Sequence, residues 1–307
     1  MTLSSSAVFA AGIERSANNY GLLFEEGNQL EFGVTVVTPS VSGKYTAALG
    51  GGETGNMANS YTVLSATIKT AFSEKLDFGL FLNQPYGAAS EYTQGVYSGL
   101  TADWESDEVT AILKYNLSER ISVYGGARYV QSKADIQLPE LLIRGAVGNF
   151  AQGLGEQARD LGVQAEAAAA AGNLAEAAAL GAQAQTLGAQ AQQLGGAVSP
   201  AVNPIGDPGL NYTAGGDTQG DWGYVVGAAY SIPDIALRVA LTYQSAITHD
   251  FQAPETLPTF GISGLNGTTE IVLPQSLALD FQTGVAAGTL LFGGVKWAEW
   301  SAWEVRT

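Results

Sequence analysis

Five basic side chains occur at alternating positions within apolar stretches, and they are the residues best placed to do chemistry in this sequence. They are Lys69, Lys114, Arg128, Arg238 and Lys296. The alternation of each stretch puts all five on its polar face. A lysine or arginine in such a place can hold a carboxylate through a charge-assisted hydrogen bond. Each can equally pair with an acidic residue such as Asp77, Asp280 or Glu31, so we expect one or two of the five to face a ligand.

Other combinations of reactive residues offer little chemistry. The sequence contains no cysteine and one histidine, His249, which argues against disulfides, cysteine metal sites and multi-histidine metal centres. His249 and Asp250 could form an acid–base pair, but no nucleophile is evident beside them, and we interpret them as a polar pair in a loop. No hydrolase, zinc-protease or phosphate-binding motif occurs. We therefore predict that the protein is not an enzyme and holds no cofactor or metal.

The charge balance bears on possible partners. Lysine and arginine number 13 against 29 acidic residues, for a formal net charge of −16. Nucleic acid is therefore not an expected partner, because phosphate binding needs clustered basic residues. Asp103, Glu105, Asp107 and Glu108 could bind a cation that bridges lipopolysaccharide, since oxygen ligands suit hard cations. A solvated acidic loop is the simpler interpretation of this cluster.

The elements that position the basic residues are strands with one apolar and one polar face. In residues 63–72, Leu64 and Ile68 lie on one face, whereas Thr67 and Lys69 lie on the other. This period of two predicts a strand with one side in apolar surroundings. Eight further stretches show the same pattern, at 29–38, 76–83, 109–116, 121–131, 224–232, 235–248, 276–283 and 289–303.

The links between these strands alternate between short and long. Hairpin links have a few residues, whereas the links between hairpins are 39–60, 85–107, 132–223 and 249–273. Bacterial outer-membrane barrels have short periplasmic turns and long external loops. A soluble sandwich has no reason to collect its long loops at one end. We therefore predict an all-β fold, a transmembrane antiparallel β-barrel in the outer membrane of a Gram-negative bacterium.

Aromatic residues near the predicted strand ends agree with a barrel, because Tyr and Trp favour the membrane interface. They are Tyr61, Trp104, Tyr115, Trp222, Tyr224, Tyr243, Trp297 and Trp300. About nine strands are an odd number, whereas bacterial single-chain barrels have even numbers, and an open sheet leaves two edges that lipid cannot satisfy. We therefore expect residues 29–307 to be an incomplete barrel.

Two other segments have their own composition. Residues 1–10 resemble the remnant of a secretory signal peptide, with an ordinary disordered terminus as the alternative. Residues 150–196, inside the third long link, are rich in Ala and Gln, with leucines seven apart such as Leu154 and Leu161. Gly172 interrupts the middle, so the pattern predicts an α-helical hairpin whose helices of about 20 residues extend about 30 Å. A low-complexity insert is the alternative.

Two segments resemble the FadL family of outer-membrane transporters. Residues 222–251 match a strand–turn–strand run that ends in a Tyr-x-Ser…His-Asp-Phe signature, here Tyr243, Ser245, His249, Asp250 and Phe251. Residues 273–303 match a Leu-Pro-x-Ser strand start and a Trp-Ser strand end. Weaker similarity covers residues 11–131.

The resemblance implies a barrel of about fourteen strands, closed by a small N-terminal hatch, here residues 11–28. Ligand would pass from the external loops to a pocket above the hatch and leave sideways through a gap at the third strand, here residues 76–84. The hatch is short and lacks the family's Asn-Pro-Ala motif. Arg15 and Glu14 lie in it, where they could contact ligand or pair with charges of the lumen.

The predicted function is passive transport of long-chain fatty acids or similar hydrophobic compounds. The predicted ligand-binding residues are Arg15, Arg128, Arg238 and Lys296. Expected partners are the hydrophobic ligand, outer-membrane lipid and lipopolysaccharide, and we expect a monomer. Two alternatives remain, which are a general diffusion porin and a surface adhesin or receptor that uses the helical insert.

Overall fold

The computed structural model describes residues 13–216, 218–303 and 305–306, so the signal-peptide remnant predicted at residues 1–10 lies outside the described residues. The described chain forms one antiparallel β-sheet and two long α-helices. The strands are β1 Gln29–Val37, β2 Tyr61–Ala71, β3 Leu76–Asn83, β4 Gly87–Glu91, β5 Thr101–Asn116, β6 Ile121–Leu138, β7 Tyr212–Gly215, β8 Gln219–Ile232, β9 Leu237–Gln244, β10 Ile247–Leu257, β11 Ile262–Leu273, β12 Ser276–Ala286, β13 Thr289–Ala298 and β14 Val305–Arg306. The helices are α1 Glu140–Ala170 and α2 Leu174–Ala197.

Several of these segments continue one another as single strands of the wall. Both β3 and β4 pair with β5, and the ladder between β9 and β12 continues in register between β10 and β11. Similarly, β7 and β8 both pair with β6. Counted in this way, the described wall has nine antiparallel strands in chain order, with β14 added beside β11. This number agrees with the prediction from alternation.

The wall presents apolar side chains outward and polar side chains inward. On β1, Leu30, Phe32 and Val34 have exposed fractions of 63–73%. Along β5, alternate residues from Trp104 to Lys114 are buried on the inner face. A soluble protein would hide the apolar face, whereas a strand that faces lipid exposes it. The apolar face of the wall therefore points outward, as a membrane barrel requires.

The prediction of two long links as loops is wrong, because both segments contain strands. The predicted link 85–107 contains β4 and the start of β5, and the predicted link 249–273 contains most of β10 and all of β11. The outward residues of β10, such as Thr248 and Asp250, are polar, whereas His249 and Phe251 face inward. Alternation of apolar and polar residues therefore does not predict β10, because its outer face is polar.

The acidic cluster is also not a loop, since all four residues lie on β5. Asp103, Glu105 and Asp107 are exposed on one face of the strand, whereas Glu108 is buried on the other. The predicted position of Trp104 at the membrane interface is also wrong, because its side chain is buried in the lumen with an exposed fraction of 7%. Trp222, Tyr224, Tyr115 and Trp297 do lie on the outer surface, with exposed fractions of 44–71%.

The helical hairpin is present and longer than predicted, because α1 begins directly after Pro139 and α2 continues to Ala197. Gly172 lies between the helices with φ +86°, a left-handed conformation that favours glycine. Arg144 ties the base of the hairpin to the chain beyond it, through Glu140, the carbonyl of Val198 and, at 2.7 Å, the carbonyl of Asn203. Neither described helix is long and apolar enough to span a bilayer.

Candidate functional site

Residues 13–28, here called the plug, lie inside the curled sheet. Their short 3-10 helix, Tyr20–Phe24, places Leu23 at full burial against the wall. Gly79 of β3 makes the space, because a Cβ there would lie 2.6 Å from Leu23 Cδ2. Tyr20 packs edge-on against Phe81, with ring centroids 5.1 Å apart. The plug is thus fastened by an apolar cluster that consists of Tyr20, Leu23, Phe81, Ile112, Tyr124 and Val225.

Lysines of the wall hold the plug through its backbone. Lys69 and Lys114 share Asp77, at 2.8 and 3.0 Å, and all three side chains are buried. Lys69 Nζ also donates to the carbonyls of Glu25 and Gly27, each at 2.8 Å, and Lys114 Nζ donates to that of Leu23 at 2.7 Å. These two lysines therefore have structural partners.

Arg128, a predicted ligand-binding residue, has an exposed fraction of 1% and pairs with Glu108 at 2.6 Å. Its guanidinium also donates to the carbonyl of Ser245 at 3.2 Å. Glu108 in turn accepts a hydrogen bond from Asn18 of the plug at 2.6 Å. Arg128 thus reaches the plug through Glu108, and its binding of ligand stays a prediction.

Arg238 and Lys296, two other predicted residues, contact the plug directly. The Arg238 guanidinium lies 4.7 Å from the ring centroid of Phe24 and 3.8 Å from Glu25. Lys296 forms an ion pair with Glu14. The structure therefore brings both side chains to the plug. Whether either binds ligand stays a prediction.

Arg15, the fourth predicted residue, lies where the plug meets the wall. Its backbone N–H donates to the Pro85 carbonyl at 2.8 Å, and its guanidinium lies 4.2 Å from the ring centroid of Tyr61. Its Nε is buried and has no hydrogen-bond partner among the described residues. Arg15 thus fills space beside the wall with part of its hydrogen-bonding capacity unused.

Tyr20 connects the plug to the wall through its buried side chain. Burial raises the pKa of its phenol above the usual range, so the hydroxyl stays neutral. The phenol oxygen accepts a hydrogen bond from Gln244 Nε2 at 2.7 Å. This bond links the plug to the far end of β9, a connection across the lumen that sequence spacing does not predict.

A second apolar cluster, here called the lumen cluster, lies between the plug and the rim that carries the long links. It consists of Tyr86, Trp104, Val130, Ile247, Phe251, Ile271 and Leu273. Trp104 and Phe251 pack edge-on with ring centroids 5.5 Å apart. The indole nitrogen of Trp104 is buried without a hydrogen-bond partner among the described residues. The alternation of the sequence does not reveal this cluster, because several of its members lie in segments that the pattern predicts to be loops.

The backbone ladder of the wall is interrupted beside Tyr86, at the junction of β3 and β4. The β2–β3 ladder ends at Ala66 and Leu82 and resumes only at the bridge between Ala58 and Ser90. Pro85 lacks a backbone donor, and the N–H of Leu64 bonds instead to the Gln84 side chain at 3.0 Å. The plug covers the inner side, where Glu14 pairs with Tyr86.

His249 is not the loop residue that the sequence analysis predicted. It is fully buried, with Nδ1 2.7 Å from Asp221 Oδ2 and Nε2 3.3 Å from Ser132 Oγ. This order of contacts resembles a hydrolase triad. Ser132 and His249 have exposed fractions of 1% and 0%, so no substrate reaches the hydroxyl. Among the described residues, no group of three or more His, Cys, Asp or Glu is arranged to hold a metal ion.

Several solved structures share the fold of this chain. A FadL homologue from Pseudomonas aeruginosa is 14% identical with a TM-score of 0.50, and the alignment covers 81% of this chain and 51% of that chain. The toluene transporter TodX from Pseudomonas putida is 13% identical with a TM-score of 0.52, covering 93% and 65%. A deletion mutant of TodX, described as a monoaromatic hydrocarbon channel, is 13% identical with a TM-score of 0.53, covering 94% and 67%. The chain thus spans about half to two thirds of their length.

The sequence itself identifies the family. No curated protein matches it. The model of a family described as outer membrane protein transport protein (OMPP1/FadL/TodX) matches residues 1–305. The predicted outer-membrane location and the absence of an enzymatic role agree with this description. The chain therefore belongs to the OMPP1/FadL/TodX family of outer membrane transport proteins.

Proposed function

We propose that the protein carries long-chain fatty acids or similar hydrophobic compounds passively across the outer membrane. The observation that carries this proposal is the lumen cluster, which lies inside the wall between the plug and the long-link rim. An apolar ligand gains about 25 cal/mol for each Å² that it removes from water, so an apolar lumen favours its entry without an energy source. Monoaromatic hydrocarbons are the alternative cargo, because TodX is described as a toluene transporter.

We propose the opening at the β3–β4 junction as the lateral exit. Support comes from the interrupted ladder, which leaves a place where a ligand can pass without breaking backbone hydrogen bonds. Arg15 and Tyr61 fill this place, and Tyr86 connects it with the lumen cluster. Movement of the plug segment around Arg15 would join the cluster to the surrounding lipid.

We also propose that the partners of the protein are the hydrophobic ligand, outer-membrane lipid and lipopolysaccharide. The apolar outer face supports a protein surrounded by outer-membrane lipid and lipopolysaccharide. A monomer is proposed because the lumen, the plug and the lumen cluster are all formed within one chain. Cross-linking of the full-length protein in membranes checks this, and a ladder of defined oligomers would contradict it.

Uptake of labelled oleate tests the function. Cells that carry the full-length gene are expected to accumulate oleate faster than cells without it. The control is the same strain with the empty vector, and heat-modifiable migration shows that the barrel is folded. Equal uptake by the two strains, despite a folded barrel, overturns the proposal.

The rival channel function is general diffusion of small polar solutes. The plug argues against it, because its buried Leu23 and its hydrogen bonds with Lys69 and Lys114 occupy the lumen. Liposomes that contain the full-length protein are therefore expected to resist swelling in sugars. Rapid swelling, at a rate that depends on sugar size, favours a porin.

The rival surface function is adhesion through the helical hairpin. The observation that favours it is the exposure of apolar residues along the hairpin, such as Phe150, Val163 and Leu174 with 62–72% exposed. Deletion of residues 150–196 is expected to leave oleate uptake intact, because the plug and the lumen cluster lie outside the hairpin. Loss of cell adhesion with intact uptake would assign the hairpin its own function.

A further inference from the structure

The wall contains a second interruption, between β8 and β10. The β8–β9 ladder runs from Ile232 and Leu237 to Val225 and Gln244. The same neighbours pair again only through β7, where Ala214 and Thr213 meet Glu255 and Thr256. Among the described residues, no ladder pairing joins 219–224 to 247–254. Between these residues the wall therefore lacks the backbone ladder that joins β8 to β9.

The interruption begins at Ser245, between β9 and β10, beyond which the chain no longer pairs with β8. The N–H of Ser245 donates to the Tyr224 carbonyl at 3.0 Å, and the N–H of Tyr224 donates to the Ser245 hydroxyl at 2.9 Å. From there β10 leans inward over Gly223, where a Cβ would lie 2.8 Å from Ile247 Cγ1. The lean brings Ile247 and Phe251 into the lumen cluster.

A chain of side-chain hydrogen bonds replaces the missing ladder. His249 of β10 reaches Asp221 of β8 at 2.7 Å and Ser132 of β6 at 3.3 Å. A carboxylate only accepts hydrogen bonds, so a neutral His249 donates from Nδ1 to Asp221 and accepts at Nε2 from the Ser132 hydroxyl. Three side chains thus connect three strands at a level where β8 pairs with β6 but not with β10. Two side-chain hydrogen bonds can break more readily than the many backbone hydrogen bonds of a continuous ladder.

The outer side of this interruption carries exposed aromatic residues. Trp222 and Tyr224 point outward with exposed fractions of 71% and 52%, and the Trp222 ring lies 5.0 Å from that of Tyr129. Tyr and Trp favour the level where acyl chains meet head groups. Unpaired backbone groups are tolerated better at this level than in the hydrocarbon interior.

We propose that the interruption between β8 and β10 is a second lateral opening, through which a hydrophobic ligand with a polar head passes between membrane lipid and the lumen cluster. The hydrogen-bonded set Ser132, His249 and Asp221 holds it closed. The inference rests on the proposed transport function. Tyr86 adjoins the first opening, whereas Ile247 and Phe251 adjoin the second, so the lumen cluster lies between the two.

A reversible clamp across the opening tests this inference in the full-length protein reconstituted in liposomes. Trp222→Cys and Thr248→Cys place two outward-facing thiols on either side of the interruption. A short bifunctional thiol reagent with a cleavable link then joins β8 to β10. The matched control is Tyr230→Cys with Val239→Cys, which are paired in the intact ladder between β8 and β9 and are both exposed.

The readout is the transfer rate of a fluorescent fatty acid between vesicle lipid and protein. The clamp at 222 and 248 is expected to slow transfer several-fold, cleavage of the reagent is expected to restore it, and the control clamp is expected to have no effect. Equal rates with both clamps overturn the second opening. Absence of transfer in the unclamped protein overturns the transport function itself, so the two failures are distinguishable.

A further variant tests the role of His249 in holding the opening closed. His249→Phe keeps a ring of similar size and removes both hydrogen bonds, so transfer is expected to become faster. In the same variant, the clamp at 222 and 248 is expected to return the rate to that of the clamped parent. A merely destabilised barrel would not regain the parent rate in this way. An unchanged rate in His249→Phe overturns the proposed role of the three side chains.

Discussion

At the scale of single residues, the basic side chains of the lumen differ in how tightly they are paired with carboxylates. Lys69 and Lys114 are buried against Asp77, and Arg128 is buried against Glu108. Arg238 is less restrained, since its nearest carboxylate oxygen, on Glu25, is 3.8 Å away. A ligand head group can therefore compete for Arg238 without leaving a buried carboxylate unpaired.

Substitution of Asp77 by Ala is expected to destabilise the protein strongly. It leaves the ammonium groups of Lys69 and Lys114 buried without a carboxylate, and loss of one partner from a buried ion pair costs about 3–5 kcal/mol. Urea unfolding of the detergent-solubilised protein measures the change. Glu53→Ala is the control, because its pair with Lys44 is exposed and such pairs contribute about 0–1 kcal/mol. Similar losses in both variants would contradict the structural role of Asp77.

Substitution of Arg238 by Gln is expected to weaken binding of a fatty acid but not of the corresponding alcohol. A hydrogen bond to a charged group contributes about 1.5–3 kcal/mol, and only the fatty acid carries the carboxylate that would gain it. Competition against a fluorescent fatty acid measures both affinities. Arg120→Gln, at an exposed turn, is the matched control. Equal loss of affinity for acid and alcohol would argue that Arg238 acts through the plug instead.

At the scale of elements, the first opening depends on a close fit between β4 and the plug. Gly87 begins β4, and a Cβ there would overlap the guanidinium of Arg15. The N–H of Gly87 also donates to the Ile13 carbonyl of the plug at 2.8 Å. Glycine at this position lets the arginine lie flat between strand and plug.

Substitution of Gly87 by Ala is therefore expected to displace the Arg15 side chain and speed ligand transfer. The cost in stability is expected to be small, because the overlapping atoms are the far end of a flexible side chain. Fatty-acid transfer in liposomes measures the rate, and urea unfolding measures the stability. Gly145→Ala in α1 is the control, since a Cβ there meets nothing within 4 Å. No change in rate would show that Arg15 does not restrict the opening.

At the scale of the whole molecule, the wall is stabilised by contact of its outer face with lipid. Leu241 of β9 lies in this face, with 47% of its surface exposed, and is paired with Leu279 of β12. Both residues are central in their strands, away from the polar rim that carries Thr248. The stability of the sheet thus depends on the surrounding membrane as well as on its own contacts.

Substitution of Leu241 by Arg is expected to destabilise the folded protein in lipid bilayers. A basic residue on the lipid face costs about 2–4 kcal/mol at the bilayer midplane and about 0–1 kcal/mol near the interface. Folding into bilayers at increasing urea, followed by heat-modifiable migration, measures the difference. Thr248→Arg is the control at the rim. Equal effects would place the hydrocarbon belt elsewhere on the wall.

Much of the architecture can be predicted from the sequence, because a strand that faces lipid on one side alternates apolar and polar residues. Alternation located the nine wall strands, and leucine spacing located the helical hairpin to within about ten residues at its start. The segments around Trp104 and Phe251 were missed, because their outer residues are polar beyond the hydrocarbon belt. Of the predicted ligand-binding residues, Arg15 lies in the plug, and Arg128, Arg238 and Lys296 contact the plug or a partner of the plug. Sequence spacing does not show which carboxylates they meet.

The sequence by itself determined the strand periodicity, the direction of the apolar face and the membership of the basic residues in the lumen. Only the tertiary structure decided which charges pair, how the plug lies against the wall and where the ladder opens. His249 shows the reason, because its partners Asp221 and Ser132 lie 28 and 117 positions away along the chain. Local alternation reports the environment of each strand, whereas contacts between distant strands depend on how the sheet curls.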